Sequence, residues 1–181
     1  MRYLVAITGS SGSVYGVRLL RALKGERMLI VSEMGWKIIE HELRLKPEEV
    51  LVLADRAFED SDLFAPPSSG TFAYDAMIIA PCSASTLAKI ANGIADTLIT
   101  RAASVCLKEG RRLILVPRET PISAIMLENE LKLARLGVTI LPANPGFYSG
   151  PQSVEDLVDF VVGKVLDQLG QQHELFKRWG K

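Results

Sequence analysis

Small hydroxyl residues gather where apolar runs end. Ser83, Ser85 and Thr86 follow the run Met77-Ile78-Ile79-Ala80, and Gly9-Ser10-Ser11-Gly12 follows Leu4–Thr8. The N–H groups of a first helical turn lack intrahelical partners and sit at the positive end of the helix dipole, so each stretch suits an anion. Two such loops in one chain suggest a nucleotide-like ligand; two capped helices are the plain alternative. Arg118-Glu119 closes another apolar run. Arg118 offers a planar, permanently charged fork that matches phosphate, and Glu119 is a candidate proton donor or acceptor. A surface ion pair at a helix start is the alternative for this pair. Ser32, at the end of Met28–Val31, is either a ligand contact or a helix cap. Arg101, Lys108, Arg118 and Lys164 are the cations on hand to neutralise a phosphate. Each, taken singly, reads equally as a solvated surface charge.

Other chemistries lack their residues. There is no Gly-Lys-Ser/Thr phosphate loop, and GSSGSVYG is not the dinucleotide fingerprint. No His/Cys/Asp spacing suits a metal, and no pair of Asp-rich motifs would hold magnesium against a diphosphate. His41 and His173 are the two histidines, and neither lies in a motif. Cys82 and Cys106 lack metal spacing and fit a reducing compartment. Lys+Arg and Asp+Glu both number 21, which gives no pull toward nucleic acid or an anionic membrane. No apolar run approaches the roughly 20 residues of a membrane span. Met1-Arg2-Tyr3 leads straight into a strand without a signal peptide, so a cytoplasmic protein is expected. The hydrophobic share, 48%, leaves room for an oligomer interface.

The elements that must position these residues alternate. Strands are predicted at Tyr3–Ile7, Met28–Val31, Ala76–Ala80, Arg112–Val116 and Val138–Leu141, with Pro81 as a break. A helix follows the first loop, capped by Ser11 or Ser13 and ended by Gly25. Others are predicted from about Glu33 to Leu43 and from Ser83 to Asn92. Asp96 is expected to cap a helix reaching Lys108. Thr120 with Pro121 at the first helical position reads as the start of a helix running to Leu136. Val154, Leu157, Val158, Val161, Val162, Val165, Leu166 and Leu169 mark one face of a last helix. Pro47–Asp60 resists assignment, and Ala65–Thr71 is a loop, either a lid or a plain connection. Strands alternating with helices predict an α/β fold: a Rossmann-like, doubly wound parallel sheet in a single domain spanning residues 1–181. Ligands in such sheets lie beyond the carboxyl ends of the strands, where the loops above converge.

With these residues in view, the chain resembles the flavin prenyltransferase family (UbiX-type). The landmarks are TGSSGSVYGVRLL (8–20), APCSASTLAKIANGIADTLITRAA (80–103), LKEGRRLILVPRETP (107–121), LENELKL (127–133), PANPGFYSGPQSVEDLVDFVVGKVLDQLG (142–170) and Arg178-Trp179. The resemblance implies transfer of a dimethylallyl group from dimethylallyl monophosphate to N5 and C6 of reduced FMN, without a metal ion. The product, prenylated FMN, serves a UbiD-type decarboxylase. It also implies dodecamers built from trimers, with sites at subunit interfaces. By motif, the flavin would contact Gly9, Ser10, Ser11, Ser32, Ser83, Ala84, Ser85, Thr86 and Arg118. The prenyl-phosphate pocket would comprise Lys108, Arg118, Glu119, Tyr148 and Lys164, with Arg101 and Trp179 nearby. Ser11, Glu42, Lys108 and Glu119 fall at mechanistic positions. Two departures stand out: Lys164 where many members carry Arg, and Ser83-Ala84-Ser85-Thr86 where others carry a bulkier second residue. A related FMN-dependent cysteine-type decarboxylase and a non-catalytic FMN carrier are the alternatives. The first uses a His and an Asn at a helix start that here holds Ser85.

Overall fold

Apolar pentads buried on both faces build the centre of the structure. The computed structural model describes residues 1–180. Six parallel strands lie in the order β3-β2-β1-β4-β5-β6: β1 (Arg2–Ile7), β2 (Glu26–Val31), β3 (Arg56–Glu59), β4 (Ala76–Cys82), β5 (Arg112–Pro117) and β6 (Thr139–Ile140). The helices are α1 (Ser13–Ala22), α2 (Glu33–Leu43), α3 (Pro47–Leu51), α4 (Ala84–Ala91), α5 (Leu98–Lys108), α6 (Ala124–Arg135) and α7 (Val154–Gln168). Side chains alternate across the sheet, so one core gathers Tyr3, Val5, Ile7, Ile78 and Ile114 with α1 and α7. The other gathers Leu4, Ala6, Met77, Ile79 and Leu115 with α4, α5 and α6. The doubly wound parallel sheet predicted from the alternation is present.

Four expectations on element boundaries are corrected. β4 runs through Pro81 to Cys82, and its pairing with β5 shifts register between Ile79 and Cys82. A proline without an N–H is tolerated at such an irregularity. Asp96 does not cap α5; Thr97 does, accepting from the Thr100 N–H, while Asp96 pairs with Lys89 at 2.7 Å. Thr120 does not start α6. Its hydroxyl donates to the Glu119 carbonyl at 2.8 Å, and Ser123 is the cap, accepting from the Met126 N–H at 3.2 Å. Neither Ser11 nor Ser13 caps α1; a carboxylate from α2 does so, as described below. The unassigned Pro47–Asp60 stretch contains α3 and the exposed edge strand β3.

Candidate active site

β1 and β4 are central neighbours, and the chain winds outward from them in opposite directions. Thr8 joins their carboxyl ends. Its hydroxyl donates to the Pro81 carbonyl at 2.9 Å and accepts from the Ser83 N–H at 2.8 Å. Three helix N-termini then open on the same side. Ser32 caps α2 by accepting from the Gly35 N–H at 3.0 Å, and Ser83 caps α4 by accepting from the Thr86 N–H at 3.2 Å. Asp60, just past β3, accepts the Leu98 and Ile99 N–H groups at 2.7 and 2.9 Å and so anchors the start of α5. Between them lies a cavity of about 1080 Å³ lined by Gly9, Ser32, Met34, Trp36, Ser83, Ala84, Ser85, Thr86, Thr97, Ile99 and Glu119. That volume matches the upper end of the usual ligand-pocket range, about 300–1,000 Å³. Gly9 is needed for close approach: a Cβ there would stand 2.6 Å from Met34 Cβ.

The loop from Gly9 to Ser13 forms the rim and is held from two sides. Ser10 Oγ donates to the Arg118 carbonyl at 2.9 Å, and Arg118 Nε donates to the Ser11 carbonyl at 3.1 Å. The Glu42 carboxylate accepts from the Gly12 N–H at 3.0 Å, the Ser13 N–H at 3.0 Å and the Ser13 hydroxyl at 2.8 Å. Partial burial pushes the Glu42 carboxyl up, but hydrogen bonds from Ser11, Ser13 and Gly12 outweigh it and hold the carboxyl below its ordinary range. Glu42 thus supplies the cap that the sequence assigned to Ser11 or Ser13.

The other sequence-predicted residues lie elsewhere in the same chain. Lys108 ends α5 at the amino edge of the sheet, paired with Glu109 and beside Gly70. Arg101 Nε donates to the Ser68 carbonyl at 3.1 Å. Tyr148 and Trp179 meet edge to face, ring centroids 5.5 Å apart, near α7, which carries Lys164. Glu119 therefore shares the crevice with the hydroxyl loops, while Arg101, Lys108, Tyr148, Lys164 and Trp179 do not line it. The sequence reading missed Met34, Trp36, Lys89, Asp60 and Thr97 as lining residues. Trp36 stands four positions after Ser32, one helical turn inward, and that spacing was the available signal. Asp60 gave none, since its strand was unassigned.

Neither cysteine suits a nucleophile. Both are buried, and burial pushes the Cys106 thiol up to about 11 and Cys82 higher still. His41 is exposed on α2, His173 lies past α7, and neither borders the crevice. Among the described residues, no three His, Cys, Asp or Glu side chains gather as a metal site, and no helix is long and apolar enough to cross a membrane.

Residues 1–166 match the family model described as Flavoprotein. The flavin prenyltransferase UbiX of Thermoplasma acidophilum is 51% identical over 99% of this chain and 100% of its own length. The chain belongs to the flavin prenyltransferase family. That of Methanothermobacter thermautotrophicus is 49% identical over 97% of this chain and 94% of its own. Among solved structures, AnUbiX (PadA1) in complex with FMN and dimethylallyl pyrophosphate superposes with a TM-score of 0.97 at 44% identity, covering 99% of this chain and 97% of that one. A dodecameric FMN-dependent UbiX-like decarboxylase from Escherichia coli O157:H7 gives 0.98 at 46% identity, with both chains fully covered. The cysteine decarboxylase TvaF, at 20% identity and a TM-score of 0.64, shares the fold.

Proposed function

We propose that this chain joins the dimethylallyl group of dimethylallyl monophosphate to N5 and C6 of reduced FMN, without a metal ion, and that the prenylated FMN serves a UbiD-type decarboxylase. The observation that carries this reading is the carboxyl-edge crevice in which Glu119 faces the hydroxyl-bearing starts of α2 and α4. Its donors suit a flavin mononucleotide. The free N–H groups of Ala84 and Ser85, with the hydroxyls of Ser85, Thr86 and Ser32, favour phosphate and polar ring edges, and Met34 and Trp36 offer an apolar wall. Gly9, Ser10, Ser11 and Arg118 would close the rim over it. Reduced FMN, the acceptor substrate, supplies electron-rich N5 and C6.

The prenyl-phosphate pocket calls for more than one subunit. Glu119 follows β5 and Lys108 precedes it, and the six residues of that strand span about 20 Å at roughly 3.3 Å per residue. Lys108 and Glu119 of one chain therefore cannot grip one phosphate. Their union in one site requires a second copy, and a dodecamer built from trimers is the assembly proposed. Breaking the allylic C–O bond leaves negative charge on phosphate. Lys108, Arg118 and Lys164, with Arg101 nearby, would stabilise it, in a pocket that keeps water from the allyl cation. Glu119 would carry the proton lost on alkylation to the departing phosphate. Tyr148 and Trp179 would wall the allyl group.

Phosphate release tests this. With reduced FMN and dimethylallyl monophosphate under anaerobic conditions, release should depend on the flavin and persist in a chelator. Glu119→Gln should still bind FMN but turn over about 100-fold more slowly or worse, the lower bound usual for lost general acid–base catalysis. A wild-type rate in that variant removes Glu119 from the mechanism.

A further inference from the structure

After α7 the chain doubles back along it, and one carboxylate gathers the fold. The Asp167 side chain, on the last turn of α7, is 20% exposed. It accepts from Arg178 Nη2 at 2.7 Å and Nη1 at 3.3 Å, and from His173 Nε2 at 3.1 Å. The Leu175 N–H donates to His173 Nδ1 at 3.2 Å, which leaves the imidazole proton on Nε2, facing Asp167. Gly163 is the seat of this turn, since a Cβ there would lie 2.6 Å from His173 Cε1 and 2.5 Å from Phe176 Cε1. Phe176 packs on Phe160 at 4.8 Å, Phe160 on Tyr148 at 5.6 Å, and Tyr148 on Trp179, the neighbour of Arg178, at 5.5 Å. The contacts close a ring. Lys164 is a looser ion-pair partner of the same carboxylate, with Nζ 3.6 Å from Asp167 Oδ2, beyond hydrogen-bond length, and its side chain 43% exposed.

We infer that Arg178 and Asp167 are positioning residues for the prenyl-phosphate site: Arg178 takes the hydrogen bonds of the Asp167 carboxylate, which holds Lys164 to a loose, part-exposed ion pair and leaves its N–H donors for phosphate. This rests on the prenyl-transfer reading for the role of Lys164. The physical basis is competition for one anion. A fork that binds a carboxylate through two N–H groups outcompetes a single ammonium, whose charge then remains available. Without the fork, the carboxylate draws Lys164 in and cancels it. Lysine is suited to this arrangement because its flexible stem lets it swing between partners.

Steady-state kinetics of the full-length enzyme test it. Arg178→Gln should raise KM for dimethylallyl monophosphate about tenfold while kcat moves less than twofold. Adding Asp167→Asn should bring KM back to within about threefold of wild type, because the competing charge is gone. A purely structural tail contact would not be rescued by losing its second partner. An unmoved KM in Arg178→Gln, a loss confined to kcat, or a raised KM that Asp167→Asn leaves in place each overturns the inference. Calorimetric titration with inorganic phosphate reads the same competition without turnover, and wild type and double variant should both bind more tightly than Arg178→Gln. If wild type transfers no prenyl group yet this order of affinities holds, the functional reading falls and the charge competition stands; a different order overturns it.

Discussion

Gly9 and Glu42 show how single residues shape the crevice. At Gly9 a methyl group would collide with Met34 Cβ, and neither atom belongs to a flexible chain end. Gly9→Ala should therefore push α2 outward, at about 1–3 kcal/mol in stability, the usual cost of overpacking. FMN titration and thermal unfolding should show both effects; unchanged binding would remove Gly9 from the proposed flavin site. Glu42 holds the rim through its ionised form, with its folded pKa below the ordinary value. Its contribution is thus complete above the unfolded pKa, about 4.3, and fades as pH falls through the lower folded value. Glu42→Gln should cost about 1 kcal/mol at neutral pH, at the low end for a charged hydrogen bond because the site is partly exposed. The gap between variant and wild type should close below about pH 4 in denaturant titrations across pH. Gly9 and the hydroxyl loops at Ser32 and Ser83–Thr86 lie at the strand ends and line one crevice, as the sequence suggested, because backbone needs and caps are local. It gave the capping of α1 to neighbouring serines, because a carboxylate arriving from α2, some 30 residues on in sequence, leaves no local trace.

Element starts separate local from tertiary signals. Thr120-Pro121 has the composition of a helix start, yet Thr120 bonds back to Glu119, and Ser123 caps α6. Ser123→Ala should destabilise the protein by about 1 kcal/mol, whereas Thr120→Ala should cost much less by the same urea measurement. Equal losses would return the start of α6 to Thr120. Asp96 and Thr97 pose the same choice, and Lys89 decides it by taking the carboxylate. The long buried strands and the periodic α7 were legible because burial on both faces and a 3.6-residue repeat leave clear patterns. β3, four residues at an exposed edge, offers neither.

At the scale of the whole molecule, one chain completes the crevice but not the proposed phosphate pocket. Lys108 and Glu119 stand at opposite ends of β5, and large apolar side chains such as Phe64 (100% exposed) and Ile125 (72% exposed) face outward. If subunits share sites, Lys108→Ala and Glu119→Gln should each be nearly inactive alone. Mixed, dissociated and reassembled, they should regain roughly a quarter of wild-type activity, as expected when each site draws one residue from each of two copies. No recovery would contradict a site shared between two copies. A sequence without its partners fixes which residues are charged but not which copy they serve. The most direct measurement of prenyl transfer is the mass of the flavin after anaerobic incubation of the protein with reduced FMN and dimethylallyl monophosphate. Transfer makes the flavin heavier by one dimethylallyl group less the hydrogen it replaces, whereas recovery of FMN at its original mass contradicts the proposed function.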